Sequence, residues 1–338
     1  MKYIYLIFLI AFSLNIFSQD GTTSYLKDDW IEPVDMEIDF IHLKAELKID
    51  PYKPLVEGLA TITFKPFNSF TDSIDLFMPG LKINSISLDG INLEYETNGN
   101  NIRVYINQKL KKSEEYNLYV DYVGFHEEGL YLTGWNDPKG LMRKQVLAHS
   151  PAGWLPIITQ KHDLFTTELL VTFDGKYKVF SNGDRLAIKD NGNGTKTWHY
   201  KMSKPHVVYL ICLVIGDYEF KTSKTKRGVP VELWYYPDMP DRFAVTYIHS
   251  EDMIDFFEQE IGVNYPYSIY RQAPLADYLY GGMETTTATV FGDYMYIDGR
   301  AWWMRNYVNV NSHELNHQWF GNYISHLNNR HTWLTESF

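Results

Sequence analysis

The chain has 338 residues, 45% of them hydrophobic, and its 42 acidic and 31 basic side chains give a formal net charge of −11. The hydrophobic content is typical of a globular protein and excludes a disordered chain, and the length favours two domains over one. The acidic balance argues against nucleic acid and anionic lipid surfaces as partners.

Residues 1–18 have the features of a secretory signal peptide. Lys2 supplies a positive charge, residues 4–16 form an apolar run, and Ser18 is a small residue at a plausible cleavage site. The run is shorter than the roughly 20 residues of a membrane-spanning helix. The sequence therefore predicts export to the periplasm, the cell envelope or the extracellular space, without stable membrane insertion. Cys212 is the only cysteine, so no internal disulfide is expected.

From about residue 40 to residue 218, apolar and polar side chains alternate with a period of two. The pattern is clearest at Leu43, Ala45, Leu47 and Ile49, which are separated by charged residues. Pairs that favour tight turns, such as Asp-Gly at 89–90 and Asn-Gly at 182–183, fall between such runs. The pattern predicts an antiparallel, curved sheet or sandwich.

Helical signals appear only after residue 220. A strand is expected at 229–236, followed by a helix that Asp238 or Asp241 caps and Gly262 ends. A strand region follows from about 272 to 297. A second helix is expected to begin near Trp302 and to end at Gly321.

That second helix carries His313 and His317, whose spacing of four residues places both imidazoles on one face, where they can share a metal ion. Glu336, on a following helix, is the predicted third ligand, which leaves one position open for water. Two imidazoles and one carboxylate suit Zn²⁺, with one ion per molecule. The alternative is a surface helix with two solvated histidines.

Glu314 is the predicted general base, because it follows the first histidine and can take a proton from a metal-bound water. Zinc lowers the pKa of such a water to about 7. Further upstream, Glu284 follows Gly281, Gly282 and Met283. Its carboxylate is suited to pair with a terminal ammonium, and the two glycines would let a substrate backbone approach. The alternative is an ordinary glycine bend with a solvated carboxylate.

Three segments together resemble the M1 family of aminopeptidases. Residues 313–322 (His-Glu-Leu-Asn-His-Gln-Trp-Phe-Gly-Asn) and 333–338 (Trp-Leu-Thr-Glu-Ser-Phe) are similar to the family's zinc signature. Residues 281–284 resemble its exopeptidase motif, although many members have Asn where this chain has Thr285. The resemblance implies a saddle-shaped β-domain followed by a thermolysin-like catalytic fold.

Pattern and resemblance together predict a multidomain α+β protein. Its parts are a signal peptide (1–18), an N-terminal antiparallel β saddle or sandwich domain (19–220) and the first part of a thermolysin-like zinc catalytic domain (221–338). Family members use a tyrosine further downstream to stabilise the oxyanion and a helical C-terminal region to close the cavity. The resemblance therefore implies that the chain is the N-terminal part of a longer protein.

The predicted function is that of a zinc aminopeptidase, which hydrolyses the N-terminal residue of peptides with a free N-terminus. One alternative is a metallo-endopeptidase with the same zinc helix, for which Glu284 would be dispensable. Another is a non-catalytic binding scaffold, against which the retained base Glu314 counts. The sequence specifies neither the preferred side chain at the first subsite nor the oligomeric state.

Overall fold

The computed structural model describes residues 36–337, with gaps at 54, 69–70, 113, 126–128, 149, 159–162 and 327–330. The predicted signal peptide, 1–18, lies outside the described residues. Residues Glu37–Phe338 form one compact unit, and the boundary expected between residues 220 and 221 stays a prediction. Within the described ranges, no helix combines the length and apolar character needed to cross a membrane.

The described residues form twenty β-strands, which in chain order are β1 (Ile38–Asp50), β2 (Leu55–Pro66), β3 (Ser73–Phe77), β4 (Leu81–Leu88), β5 (Ile91–Asn92), β6 (Tyr95–Asn98), β7 (Asn101–Tyr105), β8 (Tyr116–Phe125), β9 (Leu130–Thr133), β10 (Gln145–Ala148), β11 (Leu164–Asp174), β12 (Lys178–Ser181), β13 (Asp184–Asp190), β14 (Thr195–Val207), β15 (Leu213–Gly216), β16 (Glu219–Lys224), β17 (Pro230–Tyr235), β18 (Tyr270–Leu275), β19 (Gly282–Met283) and β20 (Ala288–Gly292).

The largest sheet has eight strands in the order β13-β14-β11-β1-β2-β8-β4-β5. In β1 the alternation predicted from sequence is confirmed, because Leu43, Ala45, Leu47 and Ile49 are all buried. Opposite them in β2 lie residues of the same buried face, with Leu43 paired to Ile62. The sheet is antiparallel except for β1 and β11, which pair in parallel. The predicted antiparallel arrangement is confirmed in this sheet except at this one pair.

In a smaller sheet, β12-β15-β10-β9, the two central strands β15 and β10 are buried on both faces. In β15, Leu213 and Ile215 belong to the core shared with the large sheet and with a third sheet, β3-β7-β6. Val214 and the neighbouring Cys212 point instead into a second core. Cys212 is therefore the buried small side chain that its apolar surroundings indicate, and burial raises the pKa of its thiol to about 12.

The second core lies against the mixed sheet β16-β17-β18-β20-β19. Strands β17, β18 and β20 run parallel to one another, whereas β19 is antiparallel to β20. The short strand β19 stands at one edge of this sheet. Residues 282–283 therefore have only one strand neighbour among the described residues.

The α-helices of the described chain are α1 (Phe243–Thr246), α2 (Ser250–Ile261), α3 (Val308–Asn316) and α4 (Trp333–Glu336). Gly262 ends α2 in the left-handed conformation, with φ of 73°, as predicted. The predicted aspartate cap was wrong, because the helical segment begins as a 3-10 turn, Pro240–Arg242, without a side-chain cap.

The predicted helix from Trp302 to Gly321 is shorter at both ends and forms only α3. Before it, Asp298 accepts hydrogen bonds from the backbone N–H groups of Arg300 and Ala301 and stabilises a turn. Trp303 and Met304 are 89% and 92% exposed and have no buried face to hold them in a helix. After α3 the chain turns, and the Gly321 N–H donates to the Ile324 carbonyl.

Candidate metal and active site

Helix α3 is held to the mixed sheet by its buried face. Leu315, and Trp319 just beyond the helix, pack in the second core, and the Trp319 indole N–H donates to the Val263 carbonyl. Asn311 bonds to Ser250 and Gln272. These contacts position α3, and with it His313, against the mixed sheet.

The structure brings the three predicted metal ligands together. The Nε2 atoms of His313 and His317 lie 3.1 Å apart, and the Glu336 Oε2 atom lies 3.4 Å and 3.6 Å from them. Three ligands of a tetrahedral zinc, with bonds of about 2.0–2.2 Å, would be separated by roughly 3.3–3.5 Å. The donor set and its spacing therefore fit zinc.

A backbone contact fixes the orientation of His317. Its Nδ1 atom lies 3.0 Å from the Phe320 carbonyl oxygen, to which only an Nδ1–H can donate. That tautomer leaves the lone pair of Nε2 facing His313 and Glu336, as a metal ligand requires. The His317 side chain is 3% exposed, whereas those of His313 and Glu336 are 40% and 47% exposed. The group therefore opens to solvent on one side.

Glu314 is buried beside these ligands, with 6% of its surface exposed. Burial, followed by the charges of Glu284 and Glu336, raises the pKa of its carboxyl group to about 8. A cation held by the neighbouring ligands would oppose this shift and favour the carboxylate. Glu284, Glu314 and His317 form a second group, whose ligand atoms lie within 4.8 Å of one another.

Gly282 makes room for Glu314. A Cβ atom built at Gly282 would overlap the Glu314 carboxyl group, whereas one at Gly281 would meet only the Tyr294 hydroxyl oxygen at 3.3 Å and Val310 Cγ1 at 3.9 Å. The sequence interpretation gave both glycines one purpose, access for the substrate backbone. In the structure, Gly282 also provides the space in which Glu314 lies.

Several residues near Glu284 were not identified from the sequence. Gln318 and Asn322, which follow His317, donate hydrogen bonds to the Glu284 backbone carbonyl. Tyr209 comes from the 3-10 helix Val208–Leu210 of the β-rich half. Burial raises the pKa of its hydroxyl group, and the charges of Glu284 and Glu336 raise it further, so Tyr209 lies near both carboxylates. No local periodicity identifies Tyr209, because it reaches the site only through the packing of the sheets.

Residues 246–338 match the family described as Peptidase family M1 domain. Over 277 residues the chain is 24% identical to Aminopeptidase N of Lactococcus lactis subsp. lactis, covering 78% of this chain and 32% of that protein. It is 30% identical over 163 residues to Leucine aminopeptidase 2 of Vanderwaltozyma polyspora, covering 47% and 23%. The chain thus spans about a third or less of the length of these relatives.

The fold is that of a solved M1 zinc metallopeptidase from Deinococcus radiodurans. The two agree with a TM-score of 0.74 at 22% sequence identity, over 90% of this chain and 69% of that one. A variant of that enzyme bound to a Tyr-Ser-Ala substrate agrees with a TM-score of 0.73 at 23% identity. This likeness confirms the predicted fold class, in which an N-terminal β-rich region is followed by a region that contains both strands and α-helices.

Proposed function

We propose that the complete protein is a zinc-dependent aminopeptidase, with one ion held by His313, His317 and Glu336. The observation that carries the proposal is the tetrahedral spacing of these ligands beside two further carboxylates, Glu284 and Glu314. The three ligands support metal binding. The two further carboxylates support proton transfer, by Glu314, and recognition of a positive charge, by Glu284. The peptidase names of the relatives agree with this assignment.

When bound, zinc would polarise the scissile carbonyl and acidify a water molecule. Glu314 would take the proton of that water and deliver it to the leaving amine. Its burial supports this role, because a carboxyl group shielded from solvent exchanges its proton with the reactants rather than with bulk water. Gly282 supports it as well, since the glycine leaves the space in which the carboxyl group lies.

Glu284 would bind the terminal ammonium of the substrate. Its group lies within 4.8 Å of Glu314 and His317, so the ammonium would be held next to the reacting bond. The edge strand β19 supports extended binding, because a peptide can add to a sheet edge through backbone hydrogen bonds. We further propose a boundary near residue 220 and, from residues 1–18, export of the protein.

An endopeptidase with the same metal ligands is the second candidate. It would need an open path for chain on both sides of the cleaved bond, and it would not need Glu284. A binding scaffold is the third, and it would not need Glu314 in a space cleared by a glycine. The charge at Glu284 is therefore the feature that separates an exopeptidase from an endopeptidase.

The test compares kcat/KM for one peptide with a free N-terminus and for its N-acetylated form, using the full-length protein. In Glu284→Ala, loss of the charge-assisted contact costs about 2–5 kcal/mol, or roughly 30-fold to several thousand-fold, on the free peptide only. Glu284→Gln is the matched control for shape: it keeps the size of the side chain but not its charge, and should lose nearly as much. Equal losses on both peptides would show that Glu284 has a general structural role. Efficient wild-type cleavage of the acetylated peptide would make the protein an endopeptidase.

A further inference from the structure

The segment that follows Glu284 is a buried and strained turn. Thr285, Thr286 and Thr287 are almost completely buried, and the Ala288 N–H donates to the Thr285 carbonyl across the turn. Thr287 has φ of 62°, which is a rare conformation for a β-branched residue. Such a conformation persists only where the surroundings hold it, so the contacts of Thr287 indicate what the turn is for.

The side chain of Gln318 holds both ends of this turn. The Thr287 N–H donates to Gln318 Oε1 over 2.9 Å, and Gln318 Nε2 donates to the Glu284 carbonyl over 3.1 Å. Asn322 Nδ2 donates to the same carbonyl over 2.6 Å. Gln318 is fully buried and directly follows His317. The Gln318 side chain thus connects the backbone of Glu284 directly to the residue that follows the proposed metal ligand His317.

The β-rich half braces the turn from the other side. The Gly183 N–H donates to Thr287 Oγ1 over 2.7 Å, and Asn182 Nδ2 donates to the Thr286 carbonyl over 2.6 Å. The Asn182 side chain is itself fixed, because its Oδ1 atom accepts from the Cys212 N–H. The strained residue is therefore held between two independent parts of the chain.

We propose that Gln318 is a positioning residue that fixes Glu284 at a set distance from the metal ligands. The inference rests on the proposed function, in which Glu284 binds the substrate ammonium. Gln318 stabilises the strained turn, and the turn fixes the start of the Glu284 side chain. The separation between the ammonium and the cleaved bond is thereby set by contacts that never touch the substrate.

The test uses Gln318→Met in the full-length protein, since methionine fills a similar volume without hydrogen bonds. For the peptide with a free N-terminus, kcat/KM should fall about 10- to 100-fold, because a displacement of the bound substrate by about 1 Å can cost 100-fold in rate. The acetylated peptide should change less than about twofold, and the zinc content should stay at wild type, because the metal ligands are untouched. Gln272→Met is the matched control. The Gln272 side chain is equally buried and is bonded to Asn311 of α3, but not to the turn. Its replacement should therefore lower kcat/KM equally for both peptides.

A second substitution tests the route through the turn. Asparagine adopts positive φ more readily than threonine and keeps an acceptor oxygen. Adding Thr287→Asn to Gln318→Met should therefore raise kcat/KM for the free peptide at least about threefold above that of Gln318→Met alone. Should Gln318→Met not fold, Asn322→Ala removes one bond to the Glu284 carbonyl and should give a smaller loss, again on the free peptide alone.

The outcomes separate the two proposals. Wild-type protein that cleaves both peptides equally well would overturn the aminopeptidase assignment, and this inference with it. Wild-type protein that prefers the free peptide, with a Gln318→Met variant that keeps the full preference, would overturn only the role of Gln318. Equal losses on both peptides in Gln318→Met, at normal zinc content, would do the same.

Discussion

Two neighbouring glycines are predicted to respond differently to the same substitution. A methyl group at Gly282 would occupy the space of the Glu314 carboxyl group, whereas a methyl group at Gly281 would make a close contact only with the end of Tyr294. Neither glycine has a positive φ, so alanine does not strain the backbone at either position. Gly282→Ala should therefore displace the proposed base, and Gly281→Ala should not.

The expected magnitudes differ widely. Loss of a general base costs about 10²–10⁴-fold in rate, which is about 3–5 kcal/mol of transition-state stabilisation. Gly282→Ala should approach that range, because the Glu314 side chain has to move to admit the methyl group. At Gly281 only the end of Tyr294 has to shift slightly, so Gly281→Ala should change the free energy of unfolding by less than about 1 kcal/mol, and any loss of activity should be at least tenfold smaller.

The assay is kcat on a peptide with a free N-terminus, with zinc content and melting temperature measured on the same samples. Glu314→Gln provides the reference for a protein without the base, and Gly282→Ala should come within about tenfold of it while retaining its metal. Wild-type activity in Gly282→Ala would refute the assignment of the space to a catalytic Glu314. Equal losses at both glycines would show that they act only as the approach for substrate.

Two further predictions concern metal binding and acid stability. His317→Ala should lose zinc and activity together, because only two ligands remain and both are partly exposed to solvent; stoichiometric zinc with normal activity in that variant would remove the site assignment. His206 is fully buried, and burial lowers its pKa to about 3. The unfolded state then binds more protons below about pH 6.5, so stability should fall by about 1.4 kcal/mol per pH unit as the pH drops. Measured by urea unfolding, the decrease in the free energy of unfolding between pH 6.5 and pH 5 should be about 2 kcal/mol smaller in His206→Gln than in the wild type. Identical pH dependence in both proteins would contradict this prediction.

The sequence specifies strands, and the placing of two histidines side by side on a helix, well where the signal is local. Alternation in β1 predicts its buried face, because a half-buried strand needs only its own residues to show the pattern. The spacing of His313 and His317 places both imidazoles on one side of a helix in the same way. Positive φ at Gly262 is likewise a local property of a helix end.

Features that depend on distant parts of the chain were not predictable. The parallel pairing of β1 with β11 joins residues more than a hundred positions apart, and alternation carries no information about strand direction. The helix predicted from Trp302 to Gly321 was too long at its start for a local reason. Asp298 stabilises a turn before the helix, and the apolar pattern does not reveal that turn. Gly282, Gln318 and Tyr209 acquire their roles only when the β-rich half, the mixed sheet and α3 are packed together.

We propose that the complete protein removes N-terminal residues by metal-assisted hydrolysis. The most direct measurement is kcat/KM of the full-length wild-type protein, loaded with zinc, on the free and N-acetylated forms of one peptide. We expect release of the N-terminal residue from the free peptide, with a preference over the acetylated form of at least about 30-fold. Cleavage of both forms at similar rates, or release of internal fragments first, would contradict it.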